Sequence, residues 1–286
     1  MAELPRLFRF RHEAMATQFE IIIPETDADE TYAGQAAQAL IEEVNRLEDQ
    51  LSRFRPTSDI ARLAMLTKGE STSIGLAALD CLRLAKAMHE ETDGAFDVTI
   101  GPLMKLHRDE TGAPRIPHPD DVMKAEARVG MNLFSIDEEE GTVTVHADHL
   151  VIDLGAVGKG YALDQCAELL GDWSIANALL NAGDSTVLGL GAGPGAEGWP
   201  VTAGNRELQE ILLQNSALSG SGFHVKGAHI INPRTRRPVP PKPERVWAIA
   251  PTAALSDAAS TAFMVMTREE IAAFCERNPQ VTAVLD

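Results

Sequence analysis

Residues 151–164, with the sequence VIDLGAVGKGYALD, combine the residue types in this chain that are best suited to chemistry. A short apolar run ends at Asp153, small residues follow it, and apolar residues recur at helical spacing from about Val157. We therefore predict a buried strand over 150–152, then a tight glycine turn, then a helix. Such a turn presents free main-chain N–H groups and a helix N-terminus beside Lys159, so it suits a phosphate or pyrophosphate.

The spacing in this segment differs from that of a Walker A loop. That loop has four residues between its first Gly and the Gly-Lys pair, and a Ser or Thr after the Lys. Here two residues separate Gly155 from Gly158, and Gly160 follows the lysine. Taken alone, the segment is equally compatible with an ordinary strand-to-helix turn whose glycines serve packing.

A second group of polar residues is formed by Asp257, Ser260 and Thr261. Their i, i+3, i+4 spacing puts them on one face of a helix that we predict to begin at Asp257. A carboxylate and a hydroxyl there suit Mg²⁺, which takes a few protein oxygens together with waters and phosphate oxygens. The alternative is that Ser256 or Asp257 caps the helix. Capping and ligation do not exclude each other.

The elements that must position these residues are predicted from hydrophobic periodicity. Helices are predicted over 29–51, over 76–89, from about 157 onward, over 257–266 and over 269–276. Strands are predicted over 19–23, 178–181, 186–190 and 281–285, and near 201, 212, 229 and 246. A hairpin is predicted over 134–146. We interpret this pattern as an α+β fold with antiparallel or mixed β-sheets flanked by helices. We expect a single domain over 1–286, with two intertwined subdomains as the alternative.

Composition argues against two classes of partner, nucleic acids and anionic membranes. The formal charge of −17 on 286 residues disfavours nucleic acid and anionic membranes, which reward basic surfaces. Three widely separated cysteines without metal-ligand spacing indicate free thiols and a reducing compartment. The N-terminus lacks an apolar signal region, and no run is long enough to span a membrane. We therefore expect a cytoplasmic protein.

Several blocks, in the same order along the chain, resemble the FAD:protein FMN transferase (ApbE) family. Residues 153–164 are similar to the family signature D-L-G-[GA]-x-[AG]-K-G-Y-A-x-D. The remaining blocks are 15–20, 51–58, 92–103, 229–235 and 256–262, which resemble M-G-T-x-F, S-x-[YF]-x-P-x-S, T-x-G-A-F-D-x-T-x-G-P-L, H-x-I-D-P-R-T and A-D-A-x-x-T-A. The chain departs from the family at Asn232, which replaces an Asp, and between Ser221 and His229, where the family carries a longer insert.

The resemblance implies a set of site residues. The positions that match those lining FAD are Met15, Phe54, Ala95, Phe96, Asp97, Asp153, Lys159 and Ile231. Those that match the Mg²⁺ site are Asp257, Thr261 and the main-chain carbonyl of Ala156. Lys159 is expected to stabilise charge on the pyrophosphate. His229 is the expected general base, because an imidazole suits proton removal from a hydroxyl near neutral pH.

The function that the resemblance implies is Mg²⁺-dependent transfer of FMN from FAD to a Ser or Thr hydroxyl of an acceptor flavoprotein, with release of AMP. Two alternatives remain open from the sequence. One is a Mg²⁺-dependent FAD pyrophosphatase in which water is the acceptor, and the other is a flavin-binding protein without enzymatic activity.

Overall fold

The computed structural model describes residues 5–107, 115–204, 209–222, 230–240 and 245–285, apart from the side chain of Asp184. In chain order the strands and helices are β1 (Leu7–Ala14), β2 (Thr17–Pro24), α1 (Glu30–Leu51), α2 (Asp59–Leu63), β3 (Ser71–Ser73), α3 (Leu76–Glu91), α4 (Gly101–Leu106), α5 (Pro119–Glu126), β4 (Phe134–Asp137), β5 (Thr142–Val145), α6 (Gly158–Asp172), β6 (Ala178–Ala182), β7 (Thr186–Leu190), β8 (Trp199–Ala203), β9 (Gln209–Leu213), β10 (Ser216–Ser221), β11 (Ile231–Asn232), β12 (Arg237–Pro238), β13 (Val246–Ala250), α7 (Ala253–Phe263), α8 (Arg268–Arg277) and β14 (Thr282–Leu285).

A seven-stranded sheet forms the centre of the fold, in the order β1-β2-β6-β7-β10-β13-β14. Every strand pairing among the described residues is antiparallel. The predicted α+β fold is therefore confirmed, with antiparallel sheets throughout that part of the chain. Smaller sheets are formed by β3-β5-β4, β8-β9 and β11-β12.

The two faces of the large sheet are covered differently. Along β2, Ile21 and Ile23 belong to the main core, whereas Ile22 belongs to a second cluster that includes Trp199 and Leu213 of the β8–β9 hairpin. This alternation follows from the two-residue side-chain period of a strand. The main core lies between the sheet and helices α1, α3, α6 and α7.

Helix α1 shows how local sequence sets an element boundary. The Asp29 carboxylate accepts a hydrogen bond from the N–H of Tyr32 at 2.8 Å, which is an N-cap interaction. The buried face of the helix then repeats at helical spacing through Leu40, Val44 and Leu47 to Leu51. The predicted helix over 29–51 is confirmed.

Two predicted elements are wrong. Helix α7 begins at Ala253 rather than at Asp257, because the hydroxyl of Thr252 caps it by accepting from the N–H of Leu255. Asp257 therefore lies inside the helix and caps nothing. The apolar run over 150–152 is largely buried but is not a strand. Directly after it, the N–H of Asp153 donates to the carbonyl of Val98 at 2.8 Å.

The strand predicted near 229 cannot be compared, since His229 lies outside the described residues; β11 begins at Ile231. Among the helices that the structure describes, none combines the length and apolarity needed to cross a membrane.

Candidate active site

A lysine and an aspartate from two different helices meet at the glycine turn. The Lys159 Nζ lies 3.1 Å from Asp257 Oδ2, and only 15% and 6% of the two side chains are exposed. The same Nζ donates to the main-chain carbonyl of Gly155 at 2.9 Å. One ammonium group is thus held between a nearly buried carboxylate and a carbonyl of the turn.

Helix α6 carries Lys159 in its first turn, next to main-chain donors. The residue at the N-cap position, Val157, makes no capping hydrogen bond with its side chain. The first turn therefore keeps the positive end of the helix dipole without a side-chain acceptor, which favours an anion near the turn. The predicted helix from about 157 is confirmed.

Asp164 joins α6 to α7 and so fixes where Asp257 lies. Its two carboxylate oxygens accept the N–H groups of Ala253 and Ala254 at 2.7 and 2.9 Å. Burial raises the pKa of this carboxyl to about 6, against the opposing effect of the two N–H donors. The family signature contains this aspartate, but its partners lie about ninety positions later in the chain, so no sequence pattern indicates them.

Asp153 organises the glycine turn from the other side. Its Oδ1 accepts the N–H of Gly155 at 2.9 Å, and its Oδ2 lies 3.3 Å from Nε of Arg53. The guanidinium of Arg53 also lies over the ring of Phe54, 4.4 Å from the ring centroid. Phe54 is 78% exposed, so its ring is available at the surface beside the turn.

The loop that contains Ala95, Phe96 and Asp97 leads into Val98, whose carbonyl accepts the N–H of Asp153 at 2.8 Å at the start of the turn. Ala95 and Phe96 are buried in the main core, so any contact of theirs with a ligand would come from the main chain. Asp97 is buried too, and its Oδ1 accepts from the N–H and the hydroxyl of Thr99 at 2.7 and 2.6 Å. Burial raises the pKa of Asp97, while Thr99 and nearby cationic groups act in the opposite direction.

Met15 lies in the turn between β1 and β2, in an unusual backbone conformation. Met15 and Ala16 have φ values of +50° and +56°, which define a left-handed two-residue turn without glycine. The N–H of Met15 donates to Glu48 Oε1 of α1 at 3.0 Å. The half-buried Met15 side chain packs against the main core.

Ile231 belongs to the small β11–β12 sheet and packs with Leu103 of α4. The Asn232 Oδ1 accepts the N–H groups of Arg234 and Thr235 at 2.9 and 3.2 Å. An aspartate can form the same turn, so the replacement of the family's Asp preserves the local structure. Arg234 then donates to the main-chain carbonyls of Thr92 and Asp93.

Thr261 lies one turn beyond Asp257 on α7. The hydroxyl of Ser221, at the end of β10, lies 3.3 Å from Thr261 Oγ1 and 3.0 Å from Ser260 Oγ. Asp257 and Thr261 therefore lie on one face of α7 as predicted, but in the middle of the helix and not at its N-terminus.

Two predicted site residues remain. Ala156 is half-buried in the glycine turn, and His229 is outside the described residues.

Sequence reasoning did not identify four residues that organise the site: Arg53, Asp164, Ser221 and Arg234. Arg53 and Arg234 each lie inside a family block, at a position that carries charge without an obvious partner in sequence. Their partners are remote in the chain, so hydrophobic periodicity and spacing cannot reveal them.

The arrangement can accept a cation through oxygen atoms. The Asp257 carboxylate and the Gly155 carbonyl both contact the side-chain ammonium of Lys159. The Thr261 hydroxyl lies one helical turn after Asp257 on α7. Over the described ranges there is no group of three or more His, Cys, Asp or Glu residues that could hold a metal ion, so a cation here would rely on one carboxylate with hydroxyl and carbonyl oxygens. A hard cation held by few protein oxygens is compatible with these donors.

Fold and site together define an antiparallel α+β protein whose glycine turn, lysine and buried carboxylate form one polar centre. The ApbE family model matches residues 15–285, and the chain belongs to the ApbE family.

Two curated relatives, each called FAD:protein FMN transferase, match most of the chain. The relative from Haemophilus influenzae is 26% identical over 262 residues, which is 84% of this chain and 74% of the relative. The relative from Vibrio cholerae is 28% identical over 255 residues, covering 84% and 75%.

Solved structures agree with this fold. The flavin transferase ApbE from Vibrio cholerae has a TM-score of 0.87 at 22% identity, and the match covers 98% of this chain and 93% of that one. The ApbE protein from Thermotoga maritima has a TM-score of 0.83 at 25% identity, covering 98% and 94%.

Proposed function

We propose that the protein is a Mg²⁺-dependent FAD:protein FMN transferase, which moves FMN from FAD to a Ser or Thr hydroxyl of an acceptor flavoprotein and releases AMP. The observation that carries this proposal is the meeting of Lys159 with Asp257 and the Gly155 carbonyl at the glycine turn. Membership of the ApbE family and the names of the curated relatives support the same reaction.

The substrate carries a pyrophosphate, and the net charge of the chain is −17. An anionic dinucleotide therefore needs locally arranged positive charge. Lys159 and the first turn of α6 provide it. Asp153 shapes the turn, and the exposed ring of Phe54 offers an apolar surface for a flat ring of FAD. Met15, Ile231 and the main chain of residues 95–97 are the remaining positions that we assign to FAD.

Asp257, Thr261 and the Ala156 carbonyl would hold Mg²⁺. The fit rests on Asp257, whose carboxylate already lies against one cation, the Lys159 ammonium, and on the Thr261 hydroxyl one turn further along α7. The carbonyl that now contacts this ammonium is that of Gly155, next to Ala156 in the chain. When bound, Mg²⁺ supplies positive charge to phosphoryl oxygens as a Lewis acid. Asp257 would then exchange its lysine partner for the metal, which frees the Lys159 ammonium for a phosphate oxygen.

In the reaction, the oxygen of the acceptor hydroxyl attacks the phosphorus on the FMN side of FAD. A new phosphoester bond forms, the bond from that phosphorus to the bridging oxygen breaks, and AMP leaves with this oxygen. His229 takes the hydroxyl proton. Lys159 stabilises the charge that develops on the phosphoryl oxygens.

The direct test incubates the purified protein with FAD, Mg²⁺ and a flavoprotein that has been prepared without its covalent FMN. Flavin fluorescence that stays with the acceptor after denaturation, together with an equal amount of AMP, is the expected result. Free FMN with AMP would instead indicate a pyrophosphatase, and bound but intact FAD would indicate a flavin-binding protein.

A further inference from the structure

We propose that Arg53 is a positioning residue for dinucleotide binding, which holds the Phe54 ring as a stacking surface and ties it to the glycine turn through Asp153. This inference rests on the proposed function, since it names a further residue of the FAD site. The family pattern S-x-[YF]-x-P-x-S specifies no residue type at the position of Arg53, so the role proposed here is argued from the contacts of Arg53 in this chain.

The contacts form a continuous path from the turn to the exposed ring. The Gly155 N–H donates to one oxygen of Asp153, and the other oxygen pairs with Nε of Arg53 at 3.3 Å. The Arg53 guanidinium carbon then lies 4.4 Å from the Phe54 ring centroid, within the range of a cation–π interaction. The path therefore joins residues about a hundred positions apart in the chain.

Burial separates Arg53 from an ordinary surface arginine. Only 20% of its side chain and 19% of that of Asp153 are exposed, whereas Phe54 is 78% exposed. An aromatic ring that projects into solvent normally loses side-chain freedom only when something holds it. Here the guanidinium of a largely buried ion pair lies over the ring, and this contact would restrain the ring before any ligand arrives.

The chemistry of arginine suits this arrangement better than that of lysine. A planar guanidinium can pair with a carboxylate through one edge and stack on an aromatic ring through its face. A lysine ammonium is a point charge and provides the ion pair without the flat contact. Arg53→Lys therefore tests the stacking function separately from the charge.

A flat ring that stacks on Phe54 gains from this fixed surface, because the cost of ordering the phenyl ring has already been met. FAD contains two such rings, the isoalloxazine and the adenine. The stacking chemistry is common to both, so ligands that carry one ring each identify which of the two lies on Phe54.

The experiment measures FAD affinity by titration calorimetry with EDTA present, so that turnover does not interfere. The variants are Arg53→Ala, Arg53→Lys, Phe54→Ala and the double variant with both alanines. Arg62→Ala is the matched control, since Arg62 also pairs with an aspartate in this region, Asp59, without touching the turn. Thermal melting confirms that each variant is folded.

We expect Arg53→Ala to weaken FAD binding by about 5- to 30-fold, the range of a partly desolvated cation–π contact. Phe54→Ala should have a similar effect, and the double variant should be little worse than Phe54→Ala, because the two residues act as a unit. Arg53→Lys should bind with intermediate affinity, and Arg62→Ala should bind as the parent does.

FMN and ADP complete the set of ligands. A loss of FMN affinity in Arg53→Ala supports stacking of the isoalloxazine, and a loss of ADP affinity supports stacking of the adenine. Parental FAD affinity in Arg53→Ala, or losses that add in the double variant, would overturn the role of Arg53 and leave the proposed function intact. A parent protein that binds no FAD would instead reject the proposed function and this inference together.

Discussion

Gly160 of α6 lies so close to Ala253 of α7 that a Cβ atom on the glycine would be 2.3 Å from the Ala253 carbonyl oxygen. This contact lies between Lys159 and Asp164, the two residues through which α6 reaches α7. The missing side chain therefore permits the approach that brings Lys159 to Asp257.

Gly160→Ala should separate the two helices, because main-chain atoms cannot yield as a flexible side chain can. We expect a loss of about 1–3 kcal/mol in the free energy of unfolding, the usual cost of overpacking, together with loss of activity. Urea denaturation measures the first quantity. Gly171→Ala is the matched control in the same helix, where a Cβ would meet nothing within 4 Å. That change should stabilise the protein by about 0.5–1 kcal/mol. Equal effects of the two substitutions would contradict the proposed role of the contact.

Asp257→Asn should weaken Mg²⁺ binding, and so raise the Mg²⁺ concentration that the reaction needs, while FAD still binds. The amide keeps the shape of the side chain but loses the charge that a hard cation requires. We expect the Mg²⁺ concentration for half-maximal activity to rise by at least about 10- to 100-fold, which is the effect of losing even an outer-shell partner. Activity assays across a Mg²⁺ titration measure this shift. An unchanged titration curve would show that Asp257 is not a ligand.

Ala16→Gly should stabilise the turn between β1 and β2. Ala16 has a φ of +56°, and a non-glycine residue in that region costs about 1–2 kcal/mol. The family block has glycine at this position, so we expect a gain of about 1 kcal/mol in the free energy of unfolding. The control is Ala87→Gly on the exposed face of α3, which should lose about 1 kcal/mol. The same sign for both substitutions would refute the assignment of strain to this turn.

Asp164 should make stability depend on pH in the acid range. Its pKa is about 6 in the folded protein and near 3.9 in an unfolded chain, so the folded state binds the proton more tightly. The contribution of this carboxyl is therefore greatest below pH 4 and is lost as pH rises through 6. Relative to the parent, Asp164→Asn should gain up to about 3 kcal/mol between pH 4 and pH 7. Urea denaturation at several pH values measures the difference, and a difference that stays constant would contradict the raised pKa.

The sequence predicted the long elements well because their signals are local. Helix α1 has an N-cap aspartate and a regular apolar face, and the hairpin predicted over 134–146 is present as β4–β5. The start of α7 was placed four residues too late, because Ala253 and Ala254 carry no clear periodic signal. Their N–H groups are satisfied by Asp164, a partner that lies about ninety positions earlier.

The site was predictable to the extent that it is encoded in family blocks. Lys159 and Asp257 were both assigned from their blocks, but the salt bridge between them depends on how two helices pack. The same is true of Arg53 and Asp153. Contacts between residues a hundred positions apart are a consequence of the tertiary fold, and no spacing rule in a single sequence specifies them.

The most direct measurement of the central claim is the intact mass of the acceptor flavoprotein after incubation with FAD and Mg²⁺. The parent protein should add one FMN as a phosphoester to each acceptor chain, and peptide mapping should find it on a Ser or Thr. His229→Ala should lower the rate of this addition by about 10²–10⁴-fold, the usual contribution of a positioned base, while FAD affinity stays near the parental value. An acceptor whose mass is unchanged while AMP accumulates would contradict FMN transfer and identify the protein as a pyrophosphatase.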